Sequence, residues 1–140
     1  MEFSAAQRQF LDRASVAVLS TIGPDGEPHS AAMWFLRDDD RLLMITGAGS
    51  QKQRNIDRDP RVAVVVDHRN RPYYAITVRG SAQADPTPVA EVRTALAQRY
   101  LAGDARQKYL DARLNLPGAL FSIHPGRILE YGEPPPSDAD

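Results

Sequence analysis

Val16-Ala17-Val18-Leu19-Ser20-Thr21-Ile22-Gly23-Pro24-Asp25-Gly26-Glu27 sets the fold class of this chain. Its first seven residues are mostly aliphatic or β-branched and suit a pleated, half-buried surface. Gly23-Pro24-Asp25-Gly26 is a turn with a mechanism, since proline presets φ and glycine tolerates a positive one. The spacing predicts a hairpin whose second strand covers about residues 27–37. Asp38-Asp39-Asp40 turns the chain again, and residues 41–46 return as a third strand. Three consecutive strands with short connections read as an antiparallel meander.

Working outward, Ser4-Ala5-Ala6-Gln7 fits a capping box, with Phe10, Leu11 and Ala14 at helical spacing, so residues 4–14 are expected to be a helix. Downstream, Asp59-Pro60 ends a short helix, because the residue before proline avoids the helical region. Val62-Ala63-Val64-Val65-Val66 reads as a strand buried on both faces. Residues 68–72 form a turn and 73–83 the next strand, with Ala75, Thr77 and Arg79 opposite in facing to Tyr74, Ile76 and Val78. Thr87 is the expected cap and Pro88 the first position of a helix carrying Val89, Val92, Leu96 and Tyr100 on one face. Gly103 breaks it, and a charged helix follows at about 105–114. Residues 119–123 and 127–131 are the last strands, with His124-Pro125-Gly126-Arg127 as the turn between them. Residues 132–140 carry three consecutive prolines and acidic residues with no periodic apolar pattern, and are expected to be a disordered tail. The result is one mainly β domain over 1–131, with six or seven antiparallel strands in a closed or nearly closed barrel and peripheral helices.

Composition narrows the chemistry. The 140 residues carry a formal net charge of −1, so no global field draws the chain to nucleic acid or to an anionic membrane. There are no cysteines, which removes disulfides, thiolate nucleophiles and Cys-ligated zinc. His29, His68 and His124 lack metal-ligand spacing, so no metal is expected. No signal peptide or stretch of about 20 apolar residues is present, and a soluble cytoplasmic protein is the expectation.

The candidate site follows the third strand. Thr46-Gly47-Ala48-Gly49-Ser50-Gln51-Lys52-Gln53-Arg54-Asn55 offers a glycine-containing turn, a helix start, hydroxyls and a point cation, an arrangement suited to a phosphate. Lysine occurs only at positions 52 and 108, which gives Lys52 weight in an arginine-rich chain. Arg54 points away from Lys52 on a helix, whereas Asn55 shares its side more closely. The same residues also read as a solvated helix start with a capping serine. Met33-Trp34-Phe35 alternates across the second strand, so Trp34 faces away from Met33 and Phe35 and offers a flat surface to a planar ligand, or else packs in the core. His29 and Ser30 precede it and could reach the same ligand, or else form an exposed strand edge. Tyr73-Tyr74 reads either as barrel packing or as the far wall of a site shared between subunits. No facing carboxylates or nucleophile–base pair stand out.

Leu19-Ser20-Thr21, the Gly-Pro-Asp-Gly turn, Pro28-His29-Ser30-Ala31-Ala32-Met33-Trp34-Phe35, then residues 50–62 and Val78-Arg79-Gly80-Ser81-Ala82 appear in an order that resembles the pyridoxamine-phosphate-oxidase-like split-barrel superfamily. Within it the chain is most similar to proteins that use the deazaflavin coenzyme F420. The resemblance covers about residues 10–131 and implies a split β-barrel and a homodimer with cofactor sites at the subunit interface. By position, it implies that Lys52 and Ser50 hold the cofactor phosphate with Thr46 and Gln51 nearby. Ser30, Ala31, Ala32, Met33 and Trp34 would line the ring system, Tyr73 or Tyr74 would come from the partner, and Asn55 would orient the loop. The C-terminal Arg-and-His segment that binds substrate in pyridoxamine phosphate oxidases proper has no counterpart here. The resemblance therefore implies F420-dependent hydride transfer to a conjugated small molecule. FMN in the same fold, or a non-catalytic flavin- or haem-binding protein, are the alternative readings.

Overall fold

The computed structural model describes residues 1–13 and 16–136. Seven strands and four helices follow in the order α1 (Ala5–Arg13), β1 (Ala17–Ile22), β2 (Pro28–Met33), β3 (Leu36–Asp38), β4 (Arg41–Gly47), α2 (Gln51–Arg58), β5 (Arg61–His68), β6 (Tyr74–Ala84), α3 (Val89–Tyr100), α4 (Gly103–Arg113) and β7 (Gly118–Tyr131). They form one sheet in the order β2-β1-β5-β6-β7-β4-β3, and all its strand pairs are antiparallel. The chain is mainly β, a curled half-barrel of the split-barrel type.

The expected meander is not what forms. The second strand breaks after Met33, and its two parts lie at opposite edges of the sheet, β2 beside β1 and β3 beside β4. Only Trp34 and Phe35 join them, and three Cα steps span at most about 11 Å. The two edges must therefore approach, which curls the sheet toward closure. The break has its own hydrogen-bond partners. Tyr100 Oη accepts from Phe35 N at 3.3 Å, and Arg99 donates to Phe35 O at 2.7 Å and to Leu11 O at 2.8 Å. Side chains of α3 thus take the place of a strand neighbour, a long-range cause that no local pattern at Trp34 encodes.

Other boundaries follow the expected physics. Ser4 and Gln7 form the capping box, each side chain bonded to the other's backbone N–H, at 3.1 and 2.8 Å. Residue 14 of the expected first helix lies outside the described residues. The Gly23–Glu27 turn closes with bonds of 2.7 and 2.9 Å, and Gly26 takes the positive φ of 77°. Two local expectations fail. Pro88, not Thr87, is the residue at the start of α3, with Asp85 accepting from Thr87 N at 3.0 Å instead of a side-chain cap on the helix. His124-Pro125-Gly126-Arg127 is not a turn but lies inside the 14-residue β7. There the pairing with β6 shifts between Arg79 and Gly80, leaving Gly126 as an extra residue. This is a bulge, and it needs glycine at Gly80, where a Cβ would overlap His124 O.

The core lies on the inner face of the sheet, around Leu19, Phe35, Met44, Val64, Ile76 and Phe121. The run at 62–66 is buried on one face only, with Ala63 and Val65 half-buried on the other. A second cluster, Leu43, Val92, Leu96 and Leu120, fixes α3 against β4 and β7, with Trp34 and Tyr100 packed on it. Arg13 donates to the carbonyls of Pro135 and Pro136. The expected disordered tail falls partly on 137–140, outside the described residues.

Candidate functional site

β4 ends at Gly47, and a turn with Gly49 at φ 77° brings Ser50 to the start of α2. Ser50 Oγ accepts from Gln53 N at 3.2 Å and lies 3.0 Å from Thr46 Oγ1. Gln53 reaches back to Gly49 N at 2.6 Å. The backbone N–H groups of Gln51 and Lys52 are then the two first-turn donors that helix geometry leaves without a partner. The first turn holds no acidic residue, so the positive end of the helix is uncompensated by its own sequence.

Gln51, Arg54 and Asn55 of α2 are committed to protein partners. Gln51 donates to Asn55 Oδ1 at 2.7 Å, and Arg54 bonds Gly49 O and Gln51 Oε1. Asn55 is 0% exposed and donates to Thr21 Oγ1 at 3.0 Å, which pins the helix to β1. Asn55 is thus a positioning residue with no surface to offer a ligand. Lys52 differs. It is half-buried beside a narrow apolar cleft shared with Met33, Thr46, Ile56 and Phe121, and among the described residues no group bonds or pairs with its ammonium. A cation with hydroxyls and two free N–H groups at one helix start can hold a phosphate.

The residues expected to line a ring do not form one surface. Met33 lies in the Lys52 cleft, and Ala31 is half-buried on the same side of β2. Ser30 and Ala32 are exposed on the opposite face, where Ser30 Oγ meets Ser20 Oγ at 2.8 Å. Trp34 turns away from Met33, as alternation requires, and stacks on Tyr100 with centroids 4.7 Å apart and planes 7° from parallel. It borders a neighbouring cavity of about 210 Å³ that also reaches Ile45 and Thr46, so the two spaces share a wall.

The tyrosines lie elsewhere. Tyr74 is 1% exposed, meets Phe10 edge-on at 4.8 Å and donates to Glu130. Burial, and then Glu130, raise its pKa well above that of an ordinary phenol. It is a core residue, which corrects its expected place at a ligand. Tyr73 is 51% exposed beside a cavity of about 280 Å³ with His68 and Tyr131. Tyr74 starts β6 and Tyr73 precedes it, whereas the Thr46 end of β4 runs beside β7 near the far end of β6. Eleven strand residues separate those ends, roughly 33 Å, so one chain cannot bring Tyr73 to its own Lys52.

Sequence reading missed the helical wall of the Trp34 cavity, formed by Arg93, Tyr109 and Arg113. Tyr109 alone gave a signal, an aromatic in an otherwise charged helix. His124 Nε2 is bonded to Ser122 Oγ at 2.9 Å. Among the described residues no group of three or more His, Cys, Asp or Glu side chains could hold a metal, and no helix is long and apolar enough to cross a membrane.

The chain and its fold have relatives. A 5a,11a-dehydrotetracycline/5a,11a-dehydrooxytetracycline reductase of Streptomyces rimosus is 30% identical, with 94% of this chain and 84% of the relative covered. A conserved hypothetical protein of Mycobacterium tuberculosis superposes with a TM-score of 0.77 at 28% identity, over 93% of this chain and 85% of that one. A structure described as an F420 reductase superposes at 0.70 and 26% identity, over 87% and 94%. The family model for pyridoxamine 5'-phosphate oxidase matches residues 3–130, and the chain belongs to that family.

Proposed function

We propose that this chain is a reductase that delivers hydride from an F420-type deazaflavin to a conjugated small organic molecule, as a homodimer with cofactor sites between subunits. The dehydrotetracycline reductase and the F420 reductase among its relatives support an oxidoreductase of this fold. The observation that carries the cofactor assignment is Lys52, an uncompensated cation set beside the Thr46 and Ser50 hydroxyls at a helix start.

In this reading Lys52 pairs with the cofactor phosphate, while Ser50, Thr46 and the N–H groups of Gln51 and Lys52 supply its hydrogen bonds. Met33 and Ile56 keep water from one side of the cleft. Bound there, the cofactor supplies hydride transfer, and the protein supplies position and shelter. That division of labour fits a site without a nucleophile–base pair. A second copy is needed for Tyr73 to reach the site, and a half-buried sheet face of Val18, Ser20, Ala63, Val65 and Thr77 is available for it.

Titration of the purified protein with F420 and with FMN, followed by absorbance, tests the proposal. The expected result is tighter binding of F420 and oxidation of F420H2 in the presence of conjugated acceptors. Preference for FMN would make the chain an FMN-dependent oxidoreductase of the same fold. Tight binding with no hydride transfer would make it a carrier.

A further inference from the structure

We propose that the cavity under α4 is the acceptor pocket, and that it takes a planar conjugated unit bearing an ionised oxygen, such as a carboxylate, phenolate or enolate. The acceptor role rests on the reading that places the cofactor phosphate at Ser50 and Lys52. The cavity is bounded by Trp34, Thr46, Gly47, Arg93, Tyr109 and Arg113, and it shares Ile45 and Thr46 with the Lys52 cleft. Thr46 and Gly47 close the cavity at the end of β4, where the turn to Ser50 and Lys52 begins.

Its chemistry follows from what each wall residue is already doing. Trp34 has Tyr100 stacked against it at 4.7 Å. Tyr109 approaches Trp34 at 5.4 Å but tilts by 44°, between the stacked and edge-on geometries that aromatic pairs prefer. The two rings of Trp34 and Tyr109 therefore form an open, splayed pair beside the void. Arg93 is committed, donating to Leu114 O and Leu116 O and packing where any Cβ at Gly118 would lie 2.7 Å from its guanidinium. It holds the loop wall and is a positioning residue. Arg113 is the available cation. It is exposed, lies 5.8 Å from the Tyr109 ring, and has no carboxylate partner among the described residues.

α4 itself points the same way. It buries none of its residues and has no side-chain cap at its start, so it adds little to the core. Over the cavity it contributes Tyr109 and Arg113. At about 210 Å³ the space falls below the roughly 300–1,000 Å³ of a site for drug-sized ligands. One or two fused rings enter, and a larger acceptor leaves its remainder outside.

Trp34 is the single tryptophan and reports on the pocket directly. The probes are 2-naphthoate and its neutral isostere 2-naphthamide, followed by inner-filter-corrected quenching of the full-length protein. Saturable quenching by 2-naphthoate is expected, with the amide binding at least about tenfold more weakly, as a charge-assisted contact requires. Arg113→Met should bring the two affinities together. Gly47→Leu should abolish quenching, since a Cβ there meets nothing within 4 Å and the side chain can fill the void without moving the backbone. Equal affinity for the two probes, or quenching that survives both substitutions, overturns the pocket. Lys52→Ala is expected to weaken F420 and FMN while leaving naphthoate quenching in place. Weakened cofactor binding without naphthoate quenching overturns the pocket alone. Quenching with cofactor affinity untouched by Lys52→Ala overturns the cofactor placement, and with it the acceptor role.

Discussion

The side-chain amide of Asn55 donates to the hydroxyl of Thr21 at 3.0 Å, with both residues sealed from solvent. Gln51 completes the chain by donating to Asn55 Oδ1 at 2.7 Å. This link sets the position of α2 on β1, and so the point from which Lys52 projects. Thr21→Val keeps the shape and leaves the amide without an acceptor, at a cost of about 1–3 kcal/mol. Asn55→Ala removes the donor and opens a small void. Because the two residues share one bond, the double variant should lose less than the sum of the singles in urea unfolding. Strict additivity would show that α2 is held by other contacts.

Lys52→Met removes the ammonium and keeps the apolar stem in its cleft. With no hydrogen bond or ion pair to lose among the described residues, the free protein should melt within about 0.5 kcal/mol of the parent. Cofactor affinity should fall by about 1.5–3 kcal/mol, the range for hydrogen bonds to a charged group. Calorimetric titration separates the two effects. Undiminished affinity would remove Lys52 from the phosphate site.

Much of this was legible in the sequence because its causes are local. The capping box at Ser4 and Gln7, the Gly23–Glu27 turn and the alternation through Tyr74, Ile76 and Val78 all follow from neighbouring residues. The break at Trp34-Phe35 was not, since its backbone partners are Arg99 and Tyr100, more than sixty positions away. The bulge at Gly126 looked like a turn because Pro-Gly marks both, and only pairing with Gly80 distinguishes them. At the site, Thr46, Ser50 and Lys52 were readable as one loop. The separation of Ser30 and Ala32 from Met33 follows from strand period, but which face meets the ligand depends on the whole sheet.

Asp85 provides a pH test. Its side chain is 2% exposed and bonds Arg41 at 2.5 Å. Thr87, through side chain and backbone, and then Arg41 hold its carboxyl below the ordinary 3.8. A depressed folded-state pKa contributes stability above the unfolded value, and that stability is lost as pH falls through the folded one. Asp85→Asn should therefore cost about 1.5–3 kcal/mol near neutrality. The gap from the parent should narrow below 3.8, the ordinary value. Urea unfolding across that range measures it, and a gap that widens on acidification would contradict the assignment.

The bulge makes a paired prediction. Gly80→Ala drives a methyl into His124 O, a backbone atom held in the sheet, whereas a Cβ at Gly126 would sit an ordinary 3.5 Å from Arg79 O. Gly80→Ala should cost more than about 3 kcal/mol, at the upper end for point substitutions, and Gly126→Ala within about 1 kcal/mol of zero. Thermal unfolding of the two variants side by side is sufficient. Equal effects would mean that the strand pair slips freely there.

The uncovered sheet face carries the last prediction. Val65 lies in register between Val18 and Thr77, with Ala63 and Ser20 on the same side, all half-buried. The larger helix contacts are with β1, β3, β4 and β7, and Ala63, Val65 and Thr77 keep partial exposure at the β5–β6 centre of this face. Small residues, three of them apolar and two bearing hydroxyls, suit a second copy of the same surface, because a two-fold pair uses one patch twice. The parent should sediment at twice the 15.5 kDa chain mass. Val65→Arg places two desolvated charges at the centre and should yield a folded monomer at micromolar concentration. If Tyr73 completes the cofactor site from the opposite subunit, that monomer should also bind F420 and FMN at least about tenfold more weakly, since a 1.4 kcal/mol contact corresponds to that factor. A Val65→Arg dimer would move the interface to another face. A monomer with full cofactor affinity would show that Thr46, Ser50 and Lys52 of a single chain are enough.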